Sequence, residues 1–380
     1  MQVTAPDNSI EIGQVRLHGV QRILREAAQL EGERAIAPSS LSAIRCRTTV
    51  VVPCKDEPLT LIAGVLSGIP PDVSIVLVSN SRPDQFPSEV EALQRRCESR
   101  GQAGMAVHQR DRDLADVLAK AGLPQIIDEE TESIRDGKGE GMIIGLIYAH
   151  LTGSQYVGFI DADNHLPQSV TEYVDAYAAG FHLSTAADSM VRIRWKSKPK
   201  MVDGSLVPKR SGRVSTVTNR YLNRLLGAHL GQEASTVETG NAGEHAMSLS
   251  LALRLQLAGG FSIETQELVD LIERFGVGGD SSQNEPIEVR QLETRHPHLH
   301  LERDARHLDG MKRVSLAAIH RSPVTPDALR AEIEAELGAV PSYPTIYPPL
   351  AELDWDLLRR EIQLEESADL AAARSRAAEA

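Results

Sequence analysis

Asp161 and Asp163 stand one residue apart in YVGFIDADN, residues 156 to 164, where a mostly apolar run breaks into acids. Two carboxylates at this spacing can share a divalent cation or divide the work between a cation and a ribose hydroxyl. Hard cations such as Mg²⁺ and Mn²⁺ prefer carboxylate and phosphate oxygens. Asp and Asn also favour turns, and DADN alone would suit one. Its place after a buried run, within a series of strands and helices, favours a cation and a phosphate-bearing ligand.

Positive charge is concentrated elsewhere. Residues 192 to 224 contain ten Lys or Arg and a single acid, Asp203, in a chain whose formal charge is −13. A solvated basic face is the plain reading; the contrast with the rest of the chain suits a local field that holds an anion. Within this island SGRVSTVTNR sets Arg213, Ser215 and an amide at a helix start, where backbone N–H groups also favour phosphate. IRDGKGEGM places Lys138 between glycines ahead of a helix, close enough for backbone and ammonium to approach a phosphate. The spacing is not that of a Walker loop.

HPHLH supplies His296, His298 and His300 at strand-like spacing, so all three are expected on one side. Zinc is one option; a single histidine completing a site begun by Asp163 is another. GNAGEHAM offers Asn241 and backbone amides to a ligand, or is an ordinary loop with Glu244 near a helix start. Cys54 follows a strand end, but no nearby histidine is placed to activate it, and it reads as a bystander.

A scaffold must bring these residues together. From residue 47, RTTVVVP, VSIVLVSNS, GMAVHQ and YVGFIDADN read as strands, separated by the helical patterns LTLIAGVLSG, PSEVEALQRRCESR, RDLADVLAKAG and GKGEGMIIGLIYAHL. This β-α-β-α order predicts an α/β fold with a mostly parallel sheet and helices on both faces. Ligands of such sheets sit beyond the carboxyl ends of the strands, and PCKDE, SNSRPD and DADN should share one rim.

After residue 165 come a helix, PQSVTEYVDAYAAG, a basic strand, SMVRIRWKSKPK, and the helices RVSTVTNRYLNRLLGAHL and TQELVDLIERFG, then a strand, PIEVRQLETR. We therefore divide the chain into an N-terminal extension packing on the core (1–45), a first half built on the parallel sheet (46–165), a second, smaller half of α+β character (166–322) and a helical tail (323–380). The tail is rich in Ala and alternating charge, which suits packing or oligomerisation, and a homodimer is expected.

The acidic balance argues against nucleic acid or an anionic membrane as partner. No stretch reaches the ~18 apolar residues of a membrane span, and the start lacks a secretory pattern. Three cysteines at unpatterned spacings fit neither a disulfide framework nor a zinc cluster, so the cytoplasm is the expected location.

Taken in order, VVPCKDE, SNS, DGKGEGM, YVGFIDADN, GRVS, TGNAGEHAM, QELVDLIERFG and ETRHPHLH resemble the mannosyl-3-phosphoglycerate synthases, glycosyltransferases of the GT-A fold. The resemblance covers roughly residues 10 to 322. It implies transfer of mannose from GDP-mannose to 3-phosphoglycerate, with retention at the anomeric carbon and a divalent cation (Mg²⁺, with Mn²⁺ or Co²⁺ as alternatives). It implies that Asp163 and His300 hold the metal, that Asp161 and Ala162 line the nucleotide-sugar pocket, and that Pro53, Lys55, Glu57, Ser79 and Lys138 contact the guanosine diphosphate. Arg213, Ser215 and Asn241 would receive the phosphoglycerate, which makes 46–165 the nucleotide-sugar-binding GT-A half and 166–322 the acceptor-binding half. The first strand end departs from the family's common Thr, Arg and Asn at Cys54, Lys55 and Asp56. The glucosyl-3-phosphoglycerate synthases share several of these motifs, so a glucosyl or dual donor is the alternative; a sugar nucleotidyltransferase is a more distant one.

For the chemistry, Asp163, Lys138 and Glu264 in GFSIETQELV are the expected catalytic residues. No acid is clearly set on the far face of the sugar to act as nucleophile. Glu264 is read as orienting substrate, and a same-face displacement is the expected route.

Overall fold

The computed structural model describes residues 1–24, 34–202, 205–207, 212–278, 285–301 and 305–362. Eight strands form its centre: β1 (Val15–Leu24), β2 (Thr48–Cys54), β3 (Ser74–Ser79), β4 (Gly104–His108), β5 (Tyr156–Phe159), β6 (Asp188–Trp195), β7 (His245–Ser248) and β8 (Ile287–Thr294). Their order across the sheet is β1-β8-β6-β7-β5-β2-β3-β4, and short strands beside β1 extend that edge. Neighbours are parallel except where β7 runs antiparallel to both β5 and β6.

The strands read as near-continuous apolar runs because both faces are covered. Val50, Val52, Ile75 and Leu77 point into one core with Tyr173 and Tyr177 of the helix Pro167–Leu183, while Val51, Val76 and Val78 point into the other with Ile143 and Ile147. Period-two alternation within each strand therefore feeds two cores. At ~25 cal/mol per Å² of apolar surface, these fully buried Val, Leu and Ile side chains supply the main drive for folding.

Four helices position the site: α1 (Lys138–Leu151), α2 (Arg213–Leu230), α3 (Ile263–Asp270) and α4 (Ala305–Arg321). The stretch after α3 continues as a π-helical segment over Leu271–Val277. Among the described residues, no helix is long and apolar enough to cross a membrane.

The α/β class, the mostly parallel sheet and the helices on both faces agree with the sequence expectation. Two strands were not expected. VRLHGVQRIL, within the anticipated extension, is the ten-residue β1, paired in parallel with β8. HAMS, within the glycine-rich segment, is β7. Strands from both anticipated halves share one sheet. Of the tail, a helix at Asp327–Leu337 and a short one at Trp355–Glu361 are described, while residues 363–380 lie outside the described residues.

Candidate active site

The parallel register aligns the strand ends that carry the polar residues. Cys54 pairs with Ser79, Ser79 with His108, and Phe159 with Val51, so the chain leaves β2, β3 and β5 along one rim. A cleft of about 530 Å³ opens there. Asp161, Ala162 and Asp163 line it, and Ala162 and Asp163 form a turn as well, so the turn and cleft readings of DADN hold together. Asn164 fixes this turn by accepting from the backbone N–H of Leu166 at 3.1 Å.

Lys138 opens α1 and reaches across the cleft floor. Its Nζ lies 2.6 Å from Asp161 Oδ1 and 2.7 Å from Glu264 Oε1. Burial of the ammonium disfavours its charge, but the two carboxylates outweigh this and raise its pKa, so it is a fixed cation. Burial likewise works against ionisation of Asp161, and Lys138 overcomes it, holding that carboxyl below its ordinary range. Gly243 permits this approach: a Cβ there would sit 2.5 Å from Asp161 Oδ2 and 3.1 Å from Lys138 Nζ.

On one wall Lys55 donates to both oxygens of Asp136 at 2.7 Å, Asn80 donates to the same carboxylate at 2.7 Å, and Arg110 stands at 3.1 Å. Burial opposes the charge of Asp136, but Lys55 and Asn80 outweigh it and depress the carboxyl. Pro53, Lys55 and Glu57 line this wall. Ser79 does not: it is fully buried beneath the rim, accepting from the Ser81 N–H at 3.2 Å, and its neighbour Asn80 faces the cleft. The strand continues through Ser79 before turning, which shifts the first cleft-lining position by one. Cys54, whose thiol is pushed far up by burial and by Glu89, stays protonated.

The opposite wall carries Gly212, Val214 and Ser215 from the start of α2, together with Asn241. Asn241 donates to Ser315 Oγ at 2.8 Å and to Thr265 Oγ1 at 3.2 Å, while its Oδ1 is buried with no partner among the described residues. Arg213 begins α2, and the backbone of His300 pairs with Lys200; both side chains lie outside the described residues.

His296 and His298 do not share a side, because the chain leaves β8 at Thr294 and bends at Arg295 and His296. His296 turns to Glu172 at 2.7 Å. His298 is buried in the cleft wall, stacked on Trp195 with ring centroids 4.6 Å apart and 3.2 Å from Tyr173 Oη.

Several lining residues were not singled out from the sequence: Trp195, Lys198, Phe261, His307 and Met311. Lys198 lay within the basic island and could have been named; it sits 4.0 Å over the Trp195 ring. Glu244, read earlier as a loop residue, is fully buried with neither carboxylate oxygen hydrogen-bonded among the described residues. Burial and the nearby Asp161 push its carboxyl up to about 8.

A hard cation suits this donor set. Asp161 and Asp163 bring carboxylates to the cleft, and Glu244, whose raised carboxyl holds its proton near neutral pH, would give that proton up to a cation brought close to it. Among the described residues no three His, Cys, Asp or Glu side chains are grouped so as to hold a metal ion by themselves.

Solved structures of glucosyl-3-phosphoglycerate synthase from Mycobacterium tuberculosis share the fold. The complex with Mn²⁺, uridine diphosphate and phosphoglyceric acid superposes with a TM-score of 0.54 at 21% identity, covering 83% of this chain and 95% of that one. The mannosyl-3-phosphoglycerate synthase of Pyrococcus furiosus is 36% identical, covering 93% of this chain and 95% of its own length. That of Aeropyrum pernix is 32% identical over 92% and 94%. The profile of the family matches residues 5–362, reaching beyond the resemblance seen in the sequence motifs. The chain therefore belongs to the mannosyl-3-phosphoglycerate synthase family of glycosyltransferases.

Proposed function

We propose that the cleft transfers mannose from GDP-mannose to 3-phosphoglycerate with retention of anomeric configuration. The observation that carries this reading is the Lys138 ammonium clasped by Asp161 and Glu264 beside Asp163, on the strand-end rim. Pro53, Lys55 and Glu57 take the nucleotide end of the donor, with Ser79 supporting that wall from beneath. Asp161 and Ala162 face its sugar and ribose. Arg213, Ser215 and Asn241 receive the phosphate and carboxylate of the acceptor, and the orphaned Asn241 Oδ1 is suited to an acceptor hydroxyl.

Asp163 and His300 would hold a divalent cation, which supplies neutralisation of the diphosphate charge when bound. The complexes of the M. tuberculosis enzyme with Mn²⁺ support such a cation here. Lys138 provides fixed positive charge in a water-poor site, where it acts without reorganising. The C1–O bond to the diphosphate breaks as the acceptor hydroxyl forms a new C1–O bond from the same face, its proton passing to a phosphate oxygen of the departing group. Glu264 is tied to Lys138 and is read as holding that ammonium in place rather than attacking the sugar. Three cysteines at unpatterned spacings support a reducing compartment, and the cytoplasm is the location we propose.

A panel assay tests the reading. The protein is incubated with 3-phosphoglycerate and GDP- or UDP-linked mannose and glucose, with and without Mg²⁺. Mannosyl-3-phosphoglycerate and GDP are the expected products. Preference for a glucose donor would support the glucosyl alternative, and pyrophosphate release from a nucleoside triphosphate would point to a nucleotidyltransferase.

A further inference from the structure

The C-terminal segment, expected to serve packing or oligomerisation, is laid along the back of the cleft. Tyr347 N–H donates to Leu257 at 2.8 Å and Gly259 N–H donates to Thr345 at 2.9 Å, with Ala258 and Ile346 bridged antiparallel between them. The next residues, Gly260 and Phe261, line the cleft.

Between this strap and the lysine-bearing turn lies one carboxylate. Glu140, in the first turn of α1, accepts from Tyr347 Oη at 2.7 Å and from Gly260 N–H at 3.0 Å. Both side chains are essentially removed from solvent. The turns close tightly around it: a Cβ on Gly137 would lie 2.0 Å from Glu140 Oε2, and one on Gly259 would lie 2.4 Å from Oε1. Burial, reinforced by Glu140, raises the Tyr347 phenol far above its ordinary range, so it stays a donor.

Lys138 and Glu140 share one helical turn, while Gly260 and Glu264 lie one turn apart on the other side. The two segments are thus clipped twice, once by Lys138–Glu264 inside the cleft and once by Glu140–Gly260 behind it. We propose that Tyr347 and Glu140 are positioning residues, through which the C-terminal strap sets the placement of the Lys138 ammonium and of the Gly260–Phe261 loop. The inference rests on reading the cleft as the nucleotide-sugar site.

The variants Tyr347→Phe, Glu140→Gln and Glu140→Ala test it, with Leu350→Val, a buried residue of the same segment that does not line the cleft, as a control. Tyr347→Phe is expected to fold, to bind GDP more weakly by calorimetry, and to lower kcat about tenfold, as a small misplacement of a reacting group does. The KM for 3-phosphoglycerate should change less than about twofold, since the acceptor wall is untouched. Glu140→Gln can still bond both partners and should retain more turnover than Glu140→Ala. Unchanged GDP binding and kcat in Tyr347→Phe would overturn the proposal. So would an equal loss of kcat in Leu350→Val at a matched fall in Tm. Should the transferred sugar prove other than mannose, GDP binding still reads the strap, so the two failures separate.

Discussion

Lys138 and Glu264 are 126 residues apart in the chain and 2.7 Å apart in the fold, with Asp161 at 2.6 Å on the same ammonium. Removing the lysine leaves two carboxylates facing each other in a buried site. Lys138→Met is expected to reduce kcat by about 10²–10³-fold, the loss typical of a preorganised charge-stabilising group. It should also destabilise the fold by about 3 kcal/mol, because a buried ion is left without its partner. Steady-state kinetics and thermal unfolding check both.

Glu264→Gln keeps the shape and removes one charge from the clasp. If the acceptor attacks from the face the diphosphate leaves, the variant should keep reduced turnover and accumulate no covalent sugar adduct. Intact-protein mass spectrometry after incubation with donor reads this directly, and a trapped glycosyl adduct would establish a carboxylate nucleophile instead.

Asp163→Ala should lower turnover sharply, raise the divalent cation concentration needed for what remains, and weaken Mn²⁺ binding measured by electron paramagnetic resonance. Chelation of the wild type should stop turnover, and Mg²⁺ or Mn²⁺ should restore it. Retained Mn²⁺ affinity in the variant would remove Asp163 from the metal site.

How much of this was legible in advance depended on how local each signal is. The alternation from RTTVVVP to YVGFIDADN reports burial on both sheet faces, and each strand writes that in its own residues. The rim acids were legible because parallel register turns strand ends into neighbours. β1 was missed because VRLHGVQRIL contains His18, Gly19 and Gln21, whose polar groups are matched across strands: His18 pairs with Ser9, and Gln21 donates to Thr4 and accepts from Arg290. β7 was hidden by glycines that serve the cleft rather than break a strand. Ser79 lies one residue inside the rim, within the usual uncertainty of element ends. The orphaned Glu244 and the Tyr347–Glu140 bridge depend on contacts between distant segments, which no window of sequence displays.

Stability should respond to acid through Glu288 on β8. Burial opposes its ionisation, but Thr185, Arg290 and Ser184 outweigh this and lower its carboxyl to about 2. A depressed acid contributes stability that is present above its unfolded value of 4.5 and is lost as pH falls towards about 2. Glu288→Gln should therefore lower Tm at pH 7, with the gap to wild type narrowing below pH 4.5. A gap that stays constant to acid pH would show that packing, not charge, sets the effect.

The most direct test of the central claim is the product itself. Nuclear magnetic resonance of the compound formed from GDP-mannose and 3-phosphoglycerate reports both the linkage and the anomeric configuration. The expected result is mannosyl-3-phosphoglycerate with the donor's α configuration, formed with one GDP per transfer and only with a divalent cation. An inverted anomer would contradict the same-face route, and unaltered 3-phosphoglycerate in the presence of donor and cation would contradict the account as a whole.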